Sequence, residues 1–374
     1  MNKNVFLALI GIGIGGIGFG LITPVTVMLL EKDGAPTWIT GSTTMIGYLS
    51  IMLFSGYTGR LIEKQGGKKI LLTGLFIWFL GALAHVFWYI YPLLFPIKFI
   101  MGIGGTFIFV STEVMINYYS DETNRGKNIS LYVVLLSSGV AIGTLLIWTI
   151  NIASWLPFVL GSVIMLLVFL YEYYVIDEFE IKINNEQNEK MPIKKMPIIS
   201  LLSGVIYGLF ESSIIVALPM YGLRNLFTSN QVSLFLASFV IGGIILLFII
   251  GRFTDKVNKY NLLIFISTLL IFLFLIPVFV SEFSYLLIAF FLMGGIIPAF
   301  YTVGLNYTVE KVESKFMAQA NGFYLMMYGM GTILGPLFGS FTVELNKSYG
   351  FWVFASGLCI LFTLTLLKKS AESK

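Results

Sequence analysis

From Val5 to Leu30 the chain carries no charged residue, and runs of this kind recur to its end. About 20 mostly apolar residues are enough for a helix to cross the hydrocarbon core of a bilayer. Twelve candidate spans can be marked, at 5–30, 38–62, 70–90, 93–119, 128–150, 154–176, 198–222, 231–251, 261–280, 284–308, 316–341 and 351–367. Backbone in lipid must satisfy its own hydrogen bonds, and these runs are continuous rather than alternating, so helices are expected and not a closed barrel. Of the 374 residues, 57% are hydrophobic and 11% charged, and the mean hydropathy is +0.90. That is more apolar surface than a water-soluble domain can hide. The expected fold class is an all-α integral membrane protein with 12 transmembrane helices. The first run passes through to Leu30 without a small-residue cleavage site, so it reads as an uncleaved span.

Charge gives the orientation. All but four of the 23 Lys and Arg fall in the termini or in alternate connections on one side; Lys32, Arg224 and Lys347 lie on the other, and Lys98 lies within a span. Cytoplasmic loops collect Lys and Arg, so both termini are expected in the cytoplasm, with the chain in a plasma membrane; the compact loops look bacterial. The net charge of +4 does not imply nucleic acid, because no basic face interleaved with aromatics occurs. One cysteine, Cys359, excludes a disulfide framework within the chain.

The polar segment 177–197 is the only plausible linker, dividing a half at 1–176 from a half at 198–374. A shift of 192 residues places Gly59 on Gly251, Arg60 on Arg252, Glu63 on Asp255 and Lys64 on Lys256. The same shift places Gly16 on Gly208, Gly102 on Gly294, Gly139 on Gly331 and Gly143 on Gly335. Two pseudo-symmetric six-helix halves are therefore expected, and folds of this kind place a substrate site where repeats meet.

The stretch GYTGRLIEKQGGKK, Gly56 to Lys69, concentrates five charges in fourteen residues, and it is expected as a cytoplasmic loop between spans 2 and 3. Gly59, Leu61, Glu63, Lys64, Gly66 and Lys68 resemble the loop signature G-x-L-x-D-R-x-G-R-R of the major facilitator superfamily of secondary transporters. Gly67 departs from it, standing where the first arginine of the final pair belongs. Gly251, Asp255, Lys256 and Lys259 form a degenerate second copy. Lys98, Met101 and Gly102 resemble the span-4 pattern R-x-x-Q-G. Gly322, Gly331, Gly335, Pro336 and Gly339 resemble G-x8-G-x3-G-P-x2-G, which proton-coupled drug exporters of the family carry on span 5. Here span 5 keeps only Gly139 and Gly143. The resemblance implies helix packing at these glycines and a latch on one conformation at Glu63 and Lys64, with Glu113 of span 4 as a partner of Lys64 or Lys68. It also implies a monomer. The plainer reading of the loop cations is anchoring to anionic lipid headgroups, worth about 1 kcal/mol each.

Ionisable residues within a span cost about 2.5–3.5 kcal/mol on insertion scales, so each is a functional candidate. Glu211 lies midway along span 7 on one stripe with Gly204, Gly208 and Ile215, facing the protein interior. It suits proton coupling or a counter-charge for a cationic substrate; the plainer reading is a neutral acid tying two helices. Lys98 is a coupling candidate whose plainer reading is snorkelling to the outer headgroups. His85, the only histidine, reads as an interhelical hydrogen bonder. Tyr207, Phe210, Asn306 and Tyr324 are the candidate cavity residues, and Tyr301, Tyr307 and Asn321 are polar enough to join them.

No phosphate-binding loop, no H-E-x-x-H, no G-x-S-x-G and no Cys/His metal spacing occurs, so no enzyme, cofactor or metal is expected. The first reading is a secondary active transporter working by alternating access, driving proton-coupled efflux of small amphipathic or cationic compounds. Its partners are the small-molecule substrate, protons and membrane lipids, and no nucleic acid. A proton-linked uptake carrier, an exporter of one metabolite, and a non-transporting sensor or lipid-handling protein on the same scaffold remain open.

Overall fold

Apolar runs that cannot trade backbone bonds with water close them locally, and every predicted span is a helix. The structure, a computed structural model, describes residues 2–179, 196–254, 257–313 and 316–372. Among them are twelve α-helices: α1 (Lys3–Lys32), α2 (Thr37–Gln65), α3 (Gly67–Ala84), α4 (Tyr91–Tyr119), α5 (Glu122–Leu145), α6 (Leu156–Val175), α7 (Ile198–Arg224), α8 (Ser229–Thr254), α9 (Lys259–Phe279), α10 (Phe283–Lys311), α11 (Met317–Leu345) and α12 (Gly350–Glu372). Short 3₁₀ turns extend α3 through Phe87 and α5 through Asn151. Among the described residues, ten segments are long and apolar enough to cross a membrane. The exceptions are α2 and α11. Each has 29 residues, enough for roughly 43 Å, but Ser, Thr, Asn, Gln and Gly dilute their apolar character.

The chain divides into two compact units, Met1–Asn185 and Glu186–Lys374. In the first, α1 packs on α5 and α6, α4 on α2 and α3, and α3 on α6. In the second, α7 packs on α11, α10 on α8 and α9, and α12 on α9. These pairings match one for one under the 192-residue shift, with α1 on α6 answered by a slighter contact of α7 with α12.

Glycines make the matching contacts. A Cβ on Gly16 of α1 would lie 2.5 Å from Leu136 O of α5, and one on Gly139 would meet Gly13 O. In the second unit a Cβ on Gly208 of α7 would meet Tyr328 O of α11, and one on Gly331 would lie 2.8 Å from Leu209 N. Gly102 likewise sits on α2 at Gly47 O, and Gly294 on α8 at Phe239 O. Gly143 packs on Ile17, Gly335 on Leu209 and Ser212, and Gly339 on Ser213. Ser213 Oγ also donates to Gly335 O at 2.7 Å. Pro336 lies inside α11, where its missing N–H removes the bond Thr332 O would otherwise accept. Gly322 differs from its expected packing role: nothing lies within 4 Å of its Cβ position. Nine residues separate it from Gly331, which is half a turn of azimuth on an α-helix, so it points away from the α7 crossing.

The charged stretch at 56–69 is not a loop. It is the end of α2 and the start of α3, joined at Gly66 alone. Gly66 has φ +88°, a conformation open to glycine, and its N–H donates to Ile62 O at 2.9 Å. The segment after α6 closes over this joint. Gly67 N–H donates to Phe179 O at 2.9 Å, and a Cβ on Gly67 would enter the Phe179 ring.

The crossing glycines give a paired prediction. Gly331→Val must push α11 off α7, and we expect a loss of about 1–3 kcal/mol, read as a lower melting temperature in detergent. Gly322→Val carries the same change in helix propensity without the clash and should stay near the wild type. Equal effects of the two would contradict this packing.

Candidate functional site

The close α7–α11 crossing sets the geometry around Glu211. Gly208 lets α11 approach at Tyr328, and one turn further along α7 the Glu211 carboxylate meets two phenols. Tyr207 OH donates to Oε1 at 2.8 Å, and Tyr328 OH donates to Oε2 at 2.6 Å. The Tyr207 and Tyr328 rings stack at 5.3 Å with 18° between planes. Tyr301 of α10 lies 5.3 Å from Tyr207 and 5.6 Å from Tyr328. A carboxylate inside a membrane-spanning helix is thus held by two donors and walled by three aromatic rings.

The other cavity candidates divide. Tyr324 is fully buried; its OH donates to Tyr301 O at 3.0 Å and lies 3.3 Å from Ser203 Oγ, so it ties α11 to α10 and α7. Phe210 is not a cavity residue: it is fully buried and packs edge-on against Phe274 at 5.0 Å. The side chain one position before Glu211 lies about 100° round the helix, which turns it into the core. Asn306 is half-buried on α10.

In the first unit Lys98 does not snorkel. It is buried, and Nζ donates to Thr23 Oγ1 of α1 at 3.2 Å. Among the described residues it forms no ion pair. His85 is fully buried, but its hydrogen bond is within its own segment: Nδ1 donates to Gly81 O at 2.7 Å, and Nε2 has no partner. Its ring lies 5.6 Å from Phe158 of α6.

Sequence reasoning passed over two residues. Glu172 of α6 is buried, with Oε2 lacking a hydrogen-bond partner and its carboxylate seated where a side chain on Gly11 would be. It lies five residues before the polar segment that starts at Asp177, where an acid does not stand out from the sequence. Tyr328 was one aromatic among many, and only its position opposite Gly208 distinguishes it.

The expected latch residues are spread along helix ends. Gly59, Glu63 and Lys64 lie in the last two turns of α2, with Glu63 and Lys64 exposed. Lys68 Nζ sits 5.7 Å from the centroid of the Tyr173 ring. Glu113 forms no ion pair with Lys64 or Lys68 among the described residues; it lies close to Tyr132 of α5 instead. Gly251 lies in α8, while Asp255 and Lys256 lie outside the described residues. The second copy does supply an ion pair, between Lys259 Nζ and Glu310 Oε1 of α10 at 2.6 Å. Under the 192-residue shift Lys259 corresponds to Gly67, where the first copy has Phe179 instead. No cluster of metal-ligating residues occurs among the described residues.

The sequence profile of the Major Facilitator Superfamily matches residues 8–203 and 200–374. The chain is 24% identical over 358 residues to YfkF of Bacillus subtilis, covering 94% of this chain and 91% of that protein. It is 21% identical over 379 residues to Ent638_1421 of an Enterobacter species, covering 99% and 97%. Both are described as uncharacterized MFS-type transporters. Among solved structures, the nucleoside transporter NupG superposes with a TM-score of 0.79 at 13% identity, over 98% of this chain and 99% of that one. A bacterial homologue of the human lysosomal transporter Spinster superposes with a TM-score of 0.73 at 12% identity, over 99% and 96%. At these identities the superpositions speak for the fold alone.

Gly67 gives a prediction against the family pattern. Gly67→Arg restores the signature's arginine but removes the seat of the Phe179 ring. We expect destabilisation of about 1–3 kcal/mol, measured by thermal melting of the purified protein. A melting temperature equal to or above the wild type would show that the ring is not held there.

Proposed function

Because the chain belongs to the major facilitator superfamily, a family of transporters and not of enzymes, we propose that this integral membrane protein is a proton-coupled exporter of small amphipathic or cationic compounds. It works by alternating access of two six-helix halves, 1–176 and 198–374, joined by the linker 177–197. Both termini lie in the cytoplasm, and the monomer is the working unit.

The observation that carries this reading is the Glu211 carboxylate held by Tyr207 and Tyr328 and walled by Tyr301. Ring faces attract cations, and a carboxylate adds its full charge. The same carboxylate can hold a proton instead. A proton on Oε2 makes that oxygen a donor and a weaker acceptor, so the carboxyl can donate to the Tyr328 hydroxyl instead of only accepting from it. Proton and cation therefore compete for one group, which is the requirement for exchange. Each proton moving down a 100 mV potential supplies about 2.3 kcal/mol. Lys98, buried with Thr23 as its hydrogen-bond partner, is the second residue assigned to coupling. The less apolar helices α2 and α11 suit a water-facing path.

The test is substrate-triggered proton movement in inside-out vesicles, followed with a pH-reporting dye. A panel of lipophilic cations, antibiotics and metabolites, nucleosides included, is applied to the wild type and to Glu211→Gln. The expected result is proton release from the lumen with at least one cationic compound, lost in Glu211→Gln although the variant folds and inserts normally. Proton exchange at wild-type rate by Glu211→Gln would remove Glu211 from the mechanism. No signal from any compound with folded wild-type protein would favour a specific uptake carrier, and a fixed partner protein without solute flux would favour a sensor.

A further inference from the structure

The N-terminal end of α3 and the C-terminal end of α6 frame a groove that the transport reading leaves unused. Its volume is about 470 Å³. Its character changes with depth. At the helix ends it is lined by Lys68, Lys69 and Glu178, then by Leu72, Thr73 and Tyr173, and deeper by Phe76 and Phe169. Phe76 is eight residues along α3 from Lys68, roughly 12 Å deeper at the helical rise.

The aromatic side chains form a continuous wall. Phe76 lies 6.0 Å from Phe169, and Phe169 stacks on Tyr173 at 6.3 Å with 21° between planes. Tyr173 in turn carries Lys68 Nζ at 5.7 Å from its ring centroid. This contact fixes one ammonium at the top of the apolar wall. Phe76 is 46% exposed and Tyr173 is 51% exposed, so the wall faces outward, where hydrocarbon surrounds a membrane protein.

Charge decides the occupant. Lys68 and Lys69 form no ion pair among the described residues. The one acid in the groove, Glu178, packs with its Cδ 3.0 Å from the Cβ position of Gly66, beside the start of α3. Two ammonium groups against one carboxylate, at the positive end of a helix, leave the polar end net cationic. An occupant must therefore be anionic at one end and apolar along the other.

The geometry points to a binding site for one anionic phospholipid, with its phosphate at Lys68 and Lys69 and an acyl chain along Phe76 and Phe169. A free phosphate would leave the aromatic wall unused, and a neutral lipid would leave the two ammonium groups without a counter-charge. The site is more than general attraction of basic loops to a membrane surface, because cations and apolar wall are held in one register along the membrane normal.

The test uses the purified full-length protein. Native mass spectrometry counts bound lipid during titration with dioleoyl phosphatidylglycerol or dioleoyl phosphatidylcholine. The Lys68→Gln/Lys69→Gln double variant should lose the tightest phosphatidylglycerol site, with affinity falling roughly 30-fold. Lys127→Gln/Lys311→Gln, which removes two cations outside the groove, should keep it. A second readout does not depend on the lysine variants folding. In Tyr173→Trp, a lipid brominated on its acyl chains should quench the added tryptophan more strongly as phosphatidylglycerol than as phosphatidylcholine at the same mole fraction. Equal quenching by the two lipids would overturn the site, as would unchanged phosphatidylglycerol affinity in a folded Lys68→Gln/Lys69→Gln variant. Displacement of phosphatidylglycerol by equimolar inorganic phosphate would also overturn it, since the groove would then hold a free anion and not a lipid.

Discussion

Helices in a bilayer are not driven together by the hydrophobic effect, because lipid tails are as apolar as the side chains they would replace. Association then depends on close packing and interhelical hydrogen bonds. In this chain that constraint is met at glycines where one helix backbone rests on another. The α7–α11 crossing shows the dependence most clearly. With no side chain at Gly208, the backbone of α11 comes to rest at Tyr328. The Tyr328 phenol then reaches Glu211 Oε2 at 2.6 Å. A bulkier residue at 208 would move the phenol away and leave an intramembrane carboxylate with fewer donors, so packing and site are one construction.

The two units use the same helix pairings but finish their helix ends differently. In the second unit Lys259 at the start of α9 pairs with Glu310 at the end of α10. In the first, the matching position is Gly67, and the Phe179 ring and carbonyl take its place. An ion pair at a headgroup boundary can break and re-form at small cost. A buried aromatic ring with a backbone hydrogen bond is held by packing. The first unit thereby fastens the chain leaving α6 onto the α2–α3 joint, beside the groove proposed to hold a phospholipid.

Much of this was legible in the sequence, for identifiable reasons. Lipid leaves a helix as the only solution for a 20-residue apolar run, so span positions followed from hydropathy, with ends differing by a few residues. The repeat was legible because glycine cannot be replaced at a backbone contact, which keeps Gly16 and Gly208, or Gly139 and Gly331, in register. Glu211 stood out by its cost in lipid. What was not legible depends on distance in space. Whether Phe210 faces a cavity or a core depends on what α9 places opposite it. Whether Lys98 snorkels depends on Thr23 on another helix. The charged stretch at 56–69 looked like a loop because charge usually marks one, yet a single left-handed glycine joins two helices directly. Glu172 was hidden by its neighbourhood, since an acid near a polar linker looks solvated until the packing of α1 at Gly11 is known.

In the proposed mechanism Glu211 exchanges a proton within its ring of tyrosines. Infrared difference spectroscopy of the reconstituted protein, titrated across the physiological pH range, tests it without knowledge of the substrate. A protonated-carboxyl C=O band is expected that appears and disappears with pH, is absent in Glu211→Gln, and shifts in Tyr328→Phe because its hydrogen-bond partner is gone. A spectrum in which every titrating carboxyl band survives in Glu211→Gln would contradict it.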